Sequence, residues 1–278
     1  MTHNLLLWLR IIRPQTLFAS ACPVLAALIL TGIHNTLAAV LTLLCSLSLQ
    51  ILSNLINDYY DFKRGADKKA RAGFKRALAE GEVTESQMKR ACLITASVAV
   101  ILGAWLISQG GWPILLIGLT ALLFAWLYTA TSHSLSYLGI ADIFVFLYYG
   151  VLASLGTAII QHSPASWPVF SAGAVCGLIS MCVLMINNLR DMDDDRLVGK
   201  RTFPVRFGKK AGHAALLTYC LLMPLFAWQA FASIYPTLIV LPALLLFRAI
   251  TRAQGTQYNK CLLMTGLLNV LYILLALM

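Results

Sequence analysis

The sequence predicts an all-α integral membrane protein: nine transmembrane helices forming a single domain over residues 1–278. Three observations predict it. Apolar residues make up 59% of the chain and charged residues 12%, and a soluble domain carries about twice that charged share. Nine apolar runs approach the length of about 20 residues needed to cross the hydrocarbon core. When those runs are threaded through a bilayer, all 21 lysines and arginines fall on one side of it.

The runs lie near 16–33, 37–56, 90–108, 112–129, 138–160, 167–187, 212–232, 235–250 and 261–278. Arg10 and Arg13 ahead of the first resemble the basic start of a signal peptide, but no small-residue cleavage site precedes a soluble domain and more spans follow. The segment therefore reads as an uncleaved first helix. The second run ends on a cluster of acids. Thr84-x-x-Gln87 reads as a capping box opening the third, which makes Glu82 and Glu85 helix-start acids. Gly110-Gly111-Trp112-Pro113 turns the chain tightly into the fourth. Tyr128 and His133 sit in the short turn that follows, and Asp142 is the one acid inside a hydrophobic run, the fifth. The sixth again ends on acids, and Tyr235-Pro236 turns the seventh into the short eighth.

The charge pattern gives an orientation. Arg10 and Arg13 precede the first span, nine basic residues lie between the second and third, and seven between the sixth and seventh. Arg248, Arg252 and Lys260 lie between the eighth and ninth, while the opposite loops hold only His34 and His162. By the positive-inside rule the N-terminus is cytoplasmic and the C-terminus lies outside, as expected of a multi-pass protein of a bacterial inner membrane. The net charge of +10 is spread between apolar spans rather than along one soluble face, so it points to membrane lipids and not to nucleic acid. The seven cysteines are scattered without metal-ligand spacing and read as small core side chains. The sequence shows no sign of an obligate protein partner.

Ten of the 11 acids lie within residues 57–85 and 188–211. The two segments align: Asn54 with Asn187, Asp58 with Asp191, Asp61 with Asp194. If the second run continues as helix, Asn54, Asp58 and Asp61 form one stripe at i, i+4 and i+7, and Asn187, Asp191 and Asp194 or Asp195 form another. Like charges at this spacing repel, so helix stability does not explain them. A divalent cation does, because Mg2+ takes one or two carboxylates and completes its shell with phosphate oxygens. Asn54, Asp58, Asp61, Asn187, Asp191, Asp194 and Asp195 are therefore the candidate metal ligands, with Asp58, Asp61, Asp191 and Asp195 as the catalytic core. Lys63, Arg64, Arg190, Lys200 and Arg201 follow the acids and are candidates for a diphosphate, whose charge needs more than metal to balance it. Arg71, Lys75, Arg76, Arg206, Lys209 and Lys210 are more distant. Tyr128, Asp142 and His133 are further candidates for binding substrate, Asp142 and His133 by positioning an acceptor or taking a proton.

These residues resemble the UbiA superfamily of intramembrane aromatic prenyltransferases, whose hallmark is two Asp-rich motifs after the second and sixth of nine helices. The resemblance covers nearly the whole chain and leans to the 1,4-dihydroxy-2-naphthoate polyprenyltransferases. It is carried by Arg13-Pro14-Gln15-Thr16, by residues 54–67, by Asn187-Asn188-Leu189-Arg190-Asp191, by Gly199-Lys200-Arg201-Thr202 and Val205-Arg206-Phe207-Gly208, and by Tyr128-Thr129 with Tyr137-Leu138-Gly139. It departs from that branch at Ala130-Thr131-Ser132, at Gly73-Phe74 and at Asp142. The resemblance implies a UbiA-like bundle with a cytoplasm-facing active site. It implies Mg2+-dependent transfer of a polyprenyl group from polyprenyl diphosphate to an aromatic acceptor, dihydroxynaphthoate or a hydroxybenzoate-like ring. A secondary transporter is the rival reading, but carriers place their polar site near the bilayer midplane.

Overall fold

The computed structural model describes residues 2–63, 65, 76–127 and 141–278, with the side chains of residues 2–5 left aside. The described residues form helices and connecting turns. These are α1 (Thr2–Ile12), α2 (Pro14–Thr31), α3 (Thr36–Lys63), α4 (Glu85–Gly110), α5 (Trp112–Leu127), α6 (Ala141–Ile160) and α7 (Trp167–Arg190). Then come the short α8 (Met192–Leu197) and α9 (Phe203–Phe207), followed by α10 (Lys209–Phe231), α11 (Ile234–Arg252) and α12 (Gln257–Ala276). Among the described residues eight helices are long and apolar enough to cross a membrane, and α5, with 16 residues, is a shorter apolar helix. The chain is a multi-pass membrane protein.

Three boundaries differ from the hydropathy reading. The start is two helices rather than one: Arg13 takes a left-handed conformation, φ 57°, and Pro14 opens α2 with its fixed φ. The second span runs on to Lys63, carrying its acids on helix beyond the apolar run. The sixth runs to Arg190, where Asp191 (φ −95°, ψ 7°) breaks the geometry before α8. Hydropathy locates the hydrocarbon-crossing part of a helix and is blind to a polar continuation of it.

α7 is the central post, the most buried of the spans, packing against α10, α2, α6 and α12. Its contact with α6 is a glycine interface: a Cβ on Gly150 would meet the Gly173 carbonyl at 2.5 Å, and one on Gly177 would meet the Phe146 carbonyl at 2.7 Å. Small residues let backbones approach where lipid provides no hydrophobic drive between helices. Outward faces carry Leu93, Ile101, Leu116, Leu241 and Leu263, as a lipid-facing surface requires. At the end away from the acids, the fully buried Gln161 accepts from the His34 and Asn35 N–H groups, both at 2.9 Å, and donates to the Asn35 carbonyl at 3.0 Å. Those three bonds pin the end of α6 to the start of α3. The tight turn at Gly111 (φ 69°) between α4 and α5 is present; the second falls at Ala232 (φ 48°) and Ser233, ahead of Tyr235-Pro236, which stand in the first turn of α11. Thr84 and Gln87 form the capping box of α4.

Candidate active site

α3 carries Asn54, Asp58 and Asp61 as one buried stripe, 8%, 3% and 2% exposed. On the second motif the break at Asp191 decides which acids turn inward. Asp191 and Asp195 are buried at 4% and 6%, while Asp193 and Asp194 are exposed on the far side of α8. Asp195, not Asp194, joins the buried set. Of the two positions the spacing left open, the single irregular residue Asp191 selects the second.

Four buried carboxylates cannot stand without counter-charge. Arg13 and Arg76 both pair with Asp58, and Arg76 reaches Asp61 at 3.4 Å. Arg190 binds Asp191 through two bonds of 2.8 Å and donates to Asn259 on α12 at 2.9 Å. Lys200, 8% exposed, lies 3.5 Å from Asp61 and 3.9 Å from Asp195. That single ammonium touches an acid of each motif, so the two ridges share one site.

The donor set fits a hydrated divalent ion. Among the described residues no three acid, imidazole or thiol side chains converge to cage a cation. Asp61 Oδ1 and Asn57 Oδ1 are buried without a hydrogen-bond partner among the described residues. Buried oxygens with open lone pairs, short of a full cage, suit Mg2+, which completes its shell with phosphate and water.

Beside the acids opens a cavity of about 370 Å³. Asn54, Asn57 and Asn187 line its acid end together with Arg13; Leu106, Ile114 and Ile160 line the far end. Its wall on α6 is shaped by a π-turn over Leu147–Val151, where Tyr149 leaves helical geometry (φ −92°, ψ 15°). The extra residue turns both Tyr148 and Tyr149 to the cavity, a common use of such turns at functional sites.

Several expected site residues stand elsewhere. Lys63 pairs with Glu85 at 3.0 Å on the exposed surface, and Arg201 is exposed. Asp142 is buried at the start of α6 and faces Tyr219 of α10, while its neighbours Phe144 and Val145 line the cavity. Arg64, Tyr128 and His133 lie outside the described residues. Sequence reading undervalued Arg13 and Arg76, which hold Asp58 across 45 and 18 residues of chain. Such separations leave no local pattern to find. It also passed over Gln50, Ser180 and Asn269, polar residues inside apolar runs whose oddity was visible.

Residues 17–271 match the UbiA prenyltransferase family. A 1,4-dihydroxy-2-naphthoate octaprenyltransferase of Escherichia coli (strain K12) is 34% identical, over 87% of this chain and 82% of that protein. The enzyme of the same name from Haemophilus influenzae is 30% identical, over 83% of this chain and 78% of that one. Among solved structures, a UbiA homolog from Archaeoglobus fulgidus bound to GPP and Mg2+ shares the fold with TM-score 0.71 at 19% identity, covering 97% of each chain. An apo UbiA homolog from Aeropyrum pernix K1 gives 0.72 at 16% identity, covering 95% of this chain and 98% of that one.

Proposed function

The chain belongs to the UbiA prenyltransferase family, and on that premise we propose that residues 1–278 act as one membrane domain that moves a polyprenyl group from its diphosphate to 1,4-dihydroxy-2-naphthoate, with loss of CO2, in menaquinone biosynthesis. The observation that carries this reading is Lys200 between Asp61 and Asp195, because it brings acids from two distant motifs to one anion-sized site. The relatives named for that reaction supply the acceptor. The side on which all the basic residues fall supports a bacterial inner membrane with the acid end in the cytoplasm.

Asp58 and Asp61 on one ridge and Asp191 and Asp195 on the other are the residues to hold Mg2+. When bound, the metal supplies positive charge that lowers the energy of the departing diphosphate. Arg13, Arg76, Arg190 and Lys200, which neutralise the acids in this structure, become available to diphosphate oxygens once the carboxylates have other partners. The apolar far end of the cavity buries the isoprenoid tail. The allylic C–O bond breaks with its electron pair leaving on the diphosphate. The ring carbon bearing the carboxylate forms the new C–C bond, and CO2 departs, leaving its pair in the ring.

The test is transfer by the purified protein in lipid nanodiscs, given polyprenyl diphosphate, 1,4-dihydroxy-2-naphthoate and Mg2+. A prenylated, decarboxylated naphthoquinol is expected, with EDTA stopping its formation and excess Mg2+ restoring it. Absence of that product, or turnover indifferent to EDTA, overturns the reading.

A further inference from the structure

Deep in the cavity, three side chains make no sense for a bore that holds only hydrocarbon. Gln50 on α3, Ser180 on α7 and Asn269 on α12 all line it and are 6%, 4% and 1% exposed. Gln50 Oε1, Ser180 Oγ and both polar atoms of Asn269 have no hydrogen-bond partner among the described residues. Each such atom, buried against an isoprenoid chain, would cost about 1–3 kcal/mol.

The three sit at a common depth. Gln50 precedes Asp58 by eight residues on α3, about 12 Å of helix, and Ser180 precedes Asp191 by eleven, about 16 Å. Asn269 lies ten residues, about 15 Å, beyond Asn259, whose side chain binds Arg190 beside Asp191. Three helices thus place uncharged hydrogen-bonding groups at one level below the acids. Gln50 is tied upward through its Nε2, which donates to Asn54 at 3.4 Å. Asn54 in turn donates to Thr16 and the Ile12 carbonyl. Its free oxygen is therefore held in place rather than left to fold away.

We propose that Gln50, Ser180 and Asn269 form a girdle that takes the ring hydroxyl of the aromatic acceptor that lies away from its carboxylate. This rests on the aromatic prenyl transfer proposed above. Of the two substrates, the prenyl diphosphate spends its polar part at the acids and has only hydrocarbon to offer at this depth. The acceptor is the substrate with polar groups on a ring. Among the described residues lining the cavity, Arg13 alone carries a charge, and it stands at the acid end. An acceptor carboxylate belongs there, on the carbon that attacks and with the C1 hydroxyl next to it, and the C4 hydroxyl on the far side of the ring points down into the uncharged girdle. The girdle then selects a hydroxylated ring and fixes which ring carbon faces the allylic centre.

The experiment measures equilibrium binding of 1,4-dihydroxy-2-naphthoate and of 1-hydroxy-2-naphthoate, which lacks one hydroxyl, to the purified protein in nanodiscs. The proteins compared are wild type, Gln50→Leu, Asn269→Leu and the milder Ser180→Ala. Wild type is expected to prefer the dihydroxy compound by about tenfold. The variants should lose most of that preference while their KM for the prenyl diphosphate stays within about twofold, a split that damaged folding would not give. Where a leucine variant no longer binds prenyl diphosphate, Ser180→Ala decides. Equal binding of the two compounds by wild type, or a preference unchanged in the variants, overturns the girdle and leaves these side chains to water. Wild type that binds with the expected preference yet prenylates neither compound overturns the proposed reaction instead.

Discussion

Asp61 lies almost wholly buried, one carboxylate oxygen 3.5 Å from Lys200 and the other 3.4 Å from Arg76. Its charge is balanced but its Oδ1 is not saturated, which suits a ligand that must exchange partners when substrate arrives. Two predictions belong at this scale. Asp58→Ala and Asp191→Ala should each lower kcat by about two orders of magnitude or more while the protein still inserts into membranes, and full activity of either variant with Mg2+ would refute the metal assignment. Lys200→Met leaves Asp61 and Asp195 without their shared cation. It should lose about 3 kcal/mol of stability, seen as a lower Tm, with Mg2+ and geranyl diphosphate together recovering part of the loss by binding the native state. An unchanged Tm would show that Lys200 does not bind the ridges together. The acids themselves were legible in the sequence, because repulsive spacing repeated 133 residues apart needs an explanation. Their counter-ions were not, since Arg13 and Arg76 reach Asp58 only through the fold.

At the scale of elements, the site depends on how closely α6 can approach α7. Gly150, Gly173 and Gly177 remove the side chains between them, and the π-turn that includes Gly150 also carries the two consecutive tyrosines that line the cavity. A side chain at Gly177 meets backbone, the Phe146 carbonyl at 2.7 Å, and cannot be relieved by a rotamer change. Gly177→Leu should therefore force the two helices apart, costing about 1–3 kcal/mol or more, and lower activity with both substrates together. A thermal-shift measurement alongside kcat checks this, and an unaltered Tm with selective loss of one substrate contradicts it. Apolar length was enough to find the eight helices long enough to span and the shorter α5. The π-turn, the break at Asp191 and the separate α1 were hidden, because each is a backbone choice imposed by packing and not by the period or polarity of the residues. Asp194 and Asp195 are chemically identical, and only the backbone at Asp191 distinguishes them.

Among the described residues the molecule is polarised: the buried charge gathers at one end of a bundle whose cavity is lined below it by apolar and uncharged polar side chains. Along α3 the cavity runs from Asn57 to Thr42, fifteen residues or about 22 Å of helix, a length that matches several isoprene units lying along the bilayer normal. If the bore is a ruler for the tail, its far end sets which chain lengths fit. Gly156 lines that end, and a Cβ there would only touch Ile117 at 3.4 Å and Ile114 at 3.7 Å, so the backbone tolerates substitution. Gly156→Phe should leave turnover of a short substrate such as geranyl diphosphate within about twofold of wild type. It should also raise KM for a long polyprenyl diphosphate by about tenfold, since the lost burial of one or two methylenes is already worth that factor. Competition between short and long donors in one reaction, read by mass spectrometry of the products, measures the ratio directly. An unchanged ratio would mean that the tail leaves the bundle toward lipid above Gly156 and that the far end of the cavity does not measure it.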